Sequence, residues 1–104
     1  MTYRKKPPAH PGRVLLQEFM QPYSLSARKL GQMLGVPHNR ITKIIRGETS
    51  VTPNTAIRLE HLFGMSAATW LNMQAAHDLA VEQLQSDKAL AAEIAAHRSE
   101  LNAA

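Results

Sequence analysis

Cysteine is absent from this chain of 104 residues. Its absence excludes a disulfide framework and any thiolate site, and it permits a reducing compartment. No apolar run approaches the ~18 residues that a membrane-spanning helix needs, and the N-terminus lacks the apolar core of a signal peptide. We therefore expect a cytoplasmic protein that does not act in a membrane.

Motifs for catalysis and for metal binding are also missing. The five histidines include no pair three or four residues apart, so a metal site on one helix is not expected. There is no glycine-rich phosphate loop and no G-x-S-x-G nucleophile motif. Glu60 and Glu82 are isolated carboxylates expected at the surface, and His61 is expected to be partly buried in a helix. We predict no catalytic residue, no metal and no cofactor, and hence no enzyme.

Acidic residues are scarce in the first part of the chain. Up to Gly64 there are three of them against ten basic residues, whereas from Met65 onward five acidic residues face two basic ones. This asymmetry indicates an N-terminal part that meets a polyanion and a C-terminal part that meets protein or solvent. The length suffices for one small domain with a modest core, which a dimer partner could complete.

Residues 26–47 are the most informative segment, because they have the pattern of two short helices joined by a tight turn. The first helix is predicted over residues 26–34, and its apolar face consists of Ala27, Leu30, Met33 and Leu34. Ser26 can cap the free N–H groups of its first turn. Gly35 can take the positive φ that ends it.

The second helix is predicted over residues 37–46, with Pro37 at its first position and Gly47 after its end. Its buried stripe consists of Ile41, Ile44 and Ile45. The polar residues facing away from that stripe are His38, Asn39, Arg40, Thr42, Lys43 and Arg46. A face rich in donors and acceptors suits base edges in a major groove, so the segment predicts helix-turn-helix geometry. An ordinary helical hairpin with a solvated polar face is the alternative.

Three further helices are predicted, which makes an all-α domain of five helices. The first covers residues 11–20 and ends ahead of Pro22. A fourth runs from the cap Thr52 to Gly64, and a fifth of about eighteen residues follows Ser66.

The two ends of the chain differ from this central part, which spans residues 11–85. Residues 1–10 are basic and broken by prolines, and we expect a flexible arm that either touches phosphate or only keeps the chain soluble. Residues 86–104 are rich in alanine, and their only large apolar side chains are Leu90, Ile94 and Leu101. So sparse an apolar stripe buries little apolar surface by itself. The tail is therefore either a frayed helix or a helix that becomes ordered against a partner.

Several short motifs resemble those of a known family. They are His10-Pro11-Gly12, Arg46-Gly47 followed by Val51-Thr52-Pro53, Ala56-Ile57-Arg58-Leu59, and Trp70-Leu71-Asn72-Met73-Gln74 ahead of His77-Asp78-Leu79. The order of helices resembles the phage-repressor-like class of helix-turn-helix proteins, also called the xenobiotic-response-element family. The last motif resembles HigA-type antitoxins more narrowly. The chain departs from the family pattern at Pro37, where a serine or threonine cap is frequent.

The resemblance implies two activities. A HigA-type antitoxin binds and neutralises a small basic toxin that cleaves messenger RNA. As a homodimer it also represses the operon of both proteins, at a palindromic operator in double-stranded DNA. A stand-alone transcriptional repressor without a toxin partner is the alternative.

The matching helix-turn-helix pattern also assigns roles to individual residues. The residues expected at base edges are His38, Asn39, Thr42 and Lys43. Asn39 suits adenine and Lys43 suits guanine, and each good contact is worth ~1–3 kcal/mol of discrimination. The expected phosphate contacts are Ser26, Arg28, Lys29, Arg40 and Arg46. The residues predicted in the core or in a dimer interface are Trp70, Leu71 and Gln74. The resemblance implies that the fifth helix, which ends the domain of residues 11–85, takes part in dimerisation. For each polar residue the alternative role is solvated surface.

Overall fold

Helices make up most of residues 6–103, which are the residues that the computed structural model describes, and no strand occurs in that range. The all-α fold predicted from the sequence is confirmed. The five α-helices are α1 (Pro11–Val14), α2 (Ala27–Leu34), α3 (His38–Ile45), α4 (Pro53–Phe63) and α5 (Ala67–Ala103). No helix in this described range combines the length and the apolar character that crossing a membrane requires.

The first helical segment changes its geometry twice. After α1 the chain continues as a π-helix (Leu15–Met20), where the N–H of Gln21 donates to the carbonyl oxygen of Leu16, and then as a 3-10 turn (Gln21–Tyr23). The predicted end near Met20, ahead of Pro22, coincides with the end of the π-helix, and the sequence did not predict the 3-10 turn that follows it. Pro22 is tolerated because it lies in the first turn of the 3-10 segment, where an N–H would have no helical partner.

A side-chain cap and a left-handed glycine set the ends of α2, and both predictions are confirmed. The N–H of Lys29 donates to Ser26 Oγ at 3.0 Å, and Gly35 ends the helix with φ +73°. Met33 departs from the predicted apolar face, since its relative exposure is 45%. His61 on α4 is likewise exposed rather than partly buried.

The helix α3 begins at His38, because Pro37 has an extended backbone with ψ 142° and acts as the N-cap. The sequence predicts Pro37 as the first helical residue, which is wrong by one position. No side-chain cap closes the first turn of α3, as the departure from the family pattern implies. The buried stripe is confirmed: Ile41 and Ile44 are buried and Ile45 is half-buried.

The core lies where the first helical segment, α2, α3, α4 and α5 meet. Its fully buried side chains include Leu15, Leu30, Ile41, Leu59 and Trp70. Gly12 marks the closest approach of α1 to α3, because a Cβ built at this position would overlap the carbonyl oxygen of Ile44. The first helical segment therefore fixes the C-terminal end of α3.

Arg58 of α4 anchors the C-terminal end of α2. Its Nη1 donates to the carbonyl oxygen of Leu34 at 2.9 Å, and its Nε donates to Asn54 Oδ1 at 2.8 Å. The last carbonyls of a helix have no partner within the helix, so this guanidinium satisfies one of them at the end of α2. It joins α2 to α4.

The helix α5 contains 37 residues, and at 1.5 Å per residue it is about 55 Å long. It begins as predicted at the cap Ser66, whose Oγ accepts from the N–H of Thr69 at 3.1 Å. The predicted length of about eighteen residues is only half of the observed 37, because the helix continues without a break through residue 86 into the alanine-rich tail. Every side chain in residues 88–102 is exposed, so the distal half of α5 extends beyond the core.

Candidate nucleic-acid interface

The outward face of α3 carries the side chains that the sequence assigns to base edges. His38, Asn39 and Lys43 are exposed, and Thr42 is half-buried. The Thr42 hydroxyl donates to the carbonyl oxygen of His38 at 3.2 Å. Toward an external partner it therefore presents a lone pair and a methyl group rather than a donor. The four side chains lie at i, i+1, i+4 and i+5, so the helix brings them onto one surface.

The cations expected at phosphates lie around this surface. Arg40 and Arg46 are exposed on α3, and Arg28 and Lys29 are exposed in the first turn of α2. Within the described residues none of the four lies within ion-pair distance of a carboxylate. Ser26 is exposed as well, but its Oγ is occupied as the cap of α2. The chain itself therefore leaves the positive charge of this surface unneutralised.

A groove of about 470 Å³, bordered mainly by residues with polar or charged side chains, runs beside α3. Its walls are formed by Pro37, Asn39, Arg40, Lys43, Thr49, Ser50, Thr52, Asn54 and Thr55. No acidic residue lines it, and two of its residues are cations, so it attracts anions. The sequence assigned no role to Thr49, Ser50 and Asn54. A run of hydroxyl residues just ahead of a helix N-terminus is the signal that could have identified Thr49 and Ser50. Asn54 lies inside α4, and its Oδ1 accepts from Arg58 Nε.

Gln74 of α5 holds the loop that forms one wall of this groove. Its Oε1 accepts from the N–H of Val51 at 2.8 Å, and its Nε2 donates to Asp78 Oδ1 at 3.0 Å. Both Gln74 and Val51 are buried. A buried N–H needs an acceptor, and here the acceptor comes from a helix 23 residues further along the chain. The loop next to α3 is thus positioned by α5.

Trp70 lies in the core of the single chain. It is fully buried, and its ring centroid is 5.5 Å from that of Phe19. Gln74 is buried one turn further along α5, whereas Leu71 is half-buried. Of the three residues predicted in the core or in a dimer interface, only Leu71 therefore keeps an accessible surface in the single chain.

His10 and His77 connect the segment ahead of α1 to α5. His10 Nδ1 accepts from the N–H of Gly12 at 2.9 Å, and the His10 ring stands edge-on to His77 with centroids 5.2 Å apart. His77 Nδ1 lies 2.6 Å from the carbonyl oxygen of Pro8, and because a carbonyl only accepts, this nitrogen carries the proton. Sequence reasoning missed this pair, since its members are far apart in the chain.

Burial lowers the pKa of His10, and the nearby His77 lowers it further. The charge of Asp78 and a hydrogen bond to the backbone of Thr49 act in the opposite direction without reversing the shift. His10 is therefore held neutral, which agrees with the use of its Nδ1 as the acceptor that caps α1.

The comparisons with known proteins converge on one class. Residues 16–70 match the family described as helix-turn-helix. Virulence-associated protein I of Dichelobacter nodosus is 45% identical over 73 residues, which are 70% of this chain and 68% of that protein.

Solved structures resemble most of the fold, among them the following two. One is an addiction module antidote protein of the HigA family from Coxiella burnetii, with 38% identity and a TM-score of 0.78, and the match covers 84% of this chain and 95% of that one. The other is the Pseudomonas aeruginosa antitoxin HigA with the higBA promoter, with 32% identity, a TM-score of 0.80 and the same coverage of both chains.

Proposed function

This chain belongs to the helix-turn-helix family and, within it, to the HigA-type antitoxins, and from this we propose that it binds an operator in its own promoter and represses transcription there. The observation that carries the proposal is the outward face of α3, where polar side chains and unpaired cations adjoin a groove without acidic residues. The relative from Pseudomonas aeruginosa, which was solved with its promoter, supports it. Because the operator lies in the cytoplasm, we expect the protein there as well.

Base edges are read by His38, Asn39, Thr42 and Lys43, which reach into the major groove from α3. Phosphates are held by the cations at the rim of this face and at the start of α2, namely Arg28, Lys29, Arg40 and Arg46. Ser26 contributes through the N-terminus that it caps rather than through its own hydroxyl. Thr49 and Ser50 extend the phosphate contacts along the opposite wall of the groove.

The protein acts as a homodimer on a palindrome, so that two copies of α3 enter successive major grooves about one turn, ~34 Å, apart. Its second partner is a small basic toxin that cleaves messenger RNA. Binding of this toxin uses a surface separate from α3, because α3 is committed to DNA.

The assignment of α3 is tested by measuring the affinity for the promoter DNA and for a scrambled duplex. Lys43→Ala is expected to cost ~1–3 kcal/mol on the operator, or roughly 5- to 150-fold in Kd, and less on the scrambled duplex. Arg40→Ala is expected to weaken both duplexes alike and to lower the slope of log affinity against log salt by about 1. Lys88→Ala, which removes the same charge from the exposed distal half of α5, is the control and should change neither value.

A loss of DNA affinity confined to Lys88→Ala, or equal losses of affinity for all three variants, would contradict the role of α3 as the DNA-reading helix. An affinity that does not change between low and moderate salt would contradict the role of the cations.

The existence of a toxin partner is tested by co-purification from the native host with a tag on this chain, followed by mass spectrometry and size-exclusion chromatography. A small basic protein encoded beside this chain supports the antitoxin function. A homodimer recovered alone favours a stand-alone repressor. The double variant Asn39→Ala with Lys43→Ala should keep the toxin and lose operator preference, since the two surfaces are separate.

A further inference from the structure

The half-buried side chain of His10 touches three parts of the fold at once. Its Nδ1 accepts from the N–H of Gly12 at the start of α1, at 2.9 Å. Its ring lies against Gly47 in the loop between α3 and α4 (residues 46–52), since a Cβ built on that glycine would stand 3.7 Å from His10 Cγ. On a further side the ring meets His77 of α5 edge-on. His10 therefore lies where α1, the loop and α5 come together.

The hydrogen bonds of the His10 ring fix the position of its proton. Because Nδ1 accepts from Gly12, it carries no proton, and the neutral ring has its proton on Nε2. The ring also bonds to the backbone of Thr49, and this bond raises the pKa of His10. A bond that favours the charged ring is one in which the ring donates, so Nε2–H donates to the carbonyl oxygen of Thr49. One imidazole thus joins α1 to the loop.

Thr49 and Ser50 form part of the wall of the groove beside α3. The backbone on either side of them is held by other elements. The N–H of Glu48 donates to the carbonyl oxygen of Lys43 at 2.9 Å, and the N–H of Val51 donates to Gln74 Oε1 at 2.8 Å. His10 holds the backbone of Thr49 between these two points, so its ring helps to set the shape of the wall.

We propose that His10 is a positioning residue for operator binding, which holds Thr49 in the groove wall while its ring is neutral and releases it when the ring is protonated. A proton on Nδ1 would face the N–H of Gly12, donor against donor, and Gly12 is buried. The two ring nitrogens are fixed relative to each other, so a ring that turns away from Gly12 also leaves Thr49. The inference rests on the proposed function and adds to it a residue outside α3.

The charged groups around His10 determine when its ring is protonated. On α5, His77 opposes the charged ring and Asp78 favours it. Burial and His77 prevail, so the pKa of His10 lies below its ordinary value of 6.5 and the ring is neutral at neutral pH. The other charged residues of the adjoining segments are exposed, namely Lys6, Arg13, Arg46 and Glu48. Acid is therefore the condition that releases the loop.

Two neutral substitutions separate the two bonds of the ring. His10→Asn keeps an acceptor near the position of Nδ1 for the N–H of Gly12, but its side chain is too short to reach Thr49. His10→Gln keeps a donor near the position of Nε2 for Thr49. His10→Asn is expected to raise the Kd for a duplex of the promoter roughly 2- to 12-fold, through the loss of one hydrogen bond. His10→Gln should stay close to the unaltered chain. Equal Kd values for the two variants, or the reverse order, would overturn the proposal.

The pH profile of binding is a readout that a merely structural role of His10 would not move. The ratio of the Kd for a scrambled duplex to the Kd for the promoter duplex should be constant above neutral pH and fall once the pH drops below about 6.5. In His10→Gln this ratio should stay constant over the same range. His38, which is exposed on α3, is retained in both proteins, so its titration cancels in the comparison. Parallel profiles would overturn the release by acid.

NMR of the ring nitrogens tests the arrangement without DNA and without a substitution. His10 is expected as the Nε2–H tautomer and His77 as the Nδ1–H tautomer, and a proton on Nδ1 of His10 at neutral pH would overturn the positioning role.

The unaltered chain separates this failure from a failure of the proposed function. If it does not prefer the promoter duplex at neutral pH, the proposed function is contradicted. If it does prefer that duplex and both variants bind as it does, only the role of His10 is contradicted. Circular dichroism at each pH confirms that each protein is folded.

Discussion

Replacing Gln74 by leucine is expected to destabilise the fold and the groove together. The substitution puts an apolar side chain of similar size in place of the buried amide, and it removes both the acceptor for the N–H of Val51 and the donor to Asp78 Oδ1. Val51 is 2% exposed, so water does not readily replace that acceptor. Leaving a buried donor without a partner costs about 1–3 kcal/mol. We expect a loss near the middle of that range, about 2 kcal/mol, which corresponds to roughly 8–16 °C in melting temperature for a domain of this size.

The assay is urea unfolding, followed by the fluorescence of the single tryptophan, which is fully buried. Gln85→Leu is the control, because Gln85 is exposed on the same helix and its substitution should stay within about 0.5 kcal/mol. All variants are compared at one protein concentration, since dimerisation shifts apparent stability. The reasoning would be refuted if Gln74→Leu unfolded at the same urea concentration as Gln85→Leu.

Two further predictions concern the N-terminal segment. Gly12→Ala is expected to lower the free energy of unfolding by about 1–3 kcal/mol, because the new Cβ overlaps the carbonyl oxygen of Ile44, and thermal melting that leaves the midpoint unchanged would contradict this close approach. For His10, whose pKa is lowered in the fold, the unfolded chain binds the proton more readily, so stability should fall as the pH drops below about 6.5 toward the lowered pKa. His10→Asn, which can cap α1 without titrating, should remove this part of the pH dependence of urea unfolding, and an unchanged pH profile would assign it to other groups.

Local chemistry explains why most helix ends could be predicted. Ser26 and Ser66 each accept from an N–H three residues ahead, and Gly35 and Gly64 take the left-handed conformation that their sequence positions suggest. Each of these signals lies within one turn of the end that it sets. A single sequence is sufficient for such predictions because no distant part of the chain is involved.

Contacts between distant residues could not be predicted in the same way. The N–H of Val51 finds its acceptor 23 residues away, and His77 meets the carbonyl oxygen of Pro8 across 69 residues. Neither pairing is visible in any periodicity, because it depends on how α5 crosses the other helices. The exposure of Met33 has the same origin, since its place on the predicted face of α2 does not tell which neighbour covers it. The assignment of single residues to bases and phosphates stays a prediction.

In the proposed homodimer, the contacts that anchor α3 to α5 set the distance between the two operator half-sites. Gln74 and His77 lie one turn apart on α5, and they hold the loop after α3 and the segment before α1. The first helical segment in turn touches the end of α3 at Gly12. The orientation of α3 is therefore fixed relative to α5 from two sides. In a homodimer joined through α5, the same contacts fix the separation of the two α3 helices, so loosening Gln74 should reduce discrimination between operators of different half-site spacing.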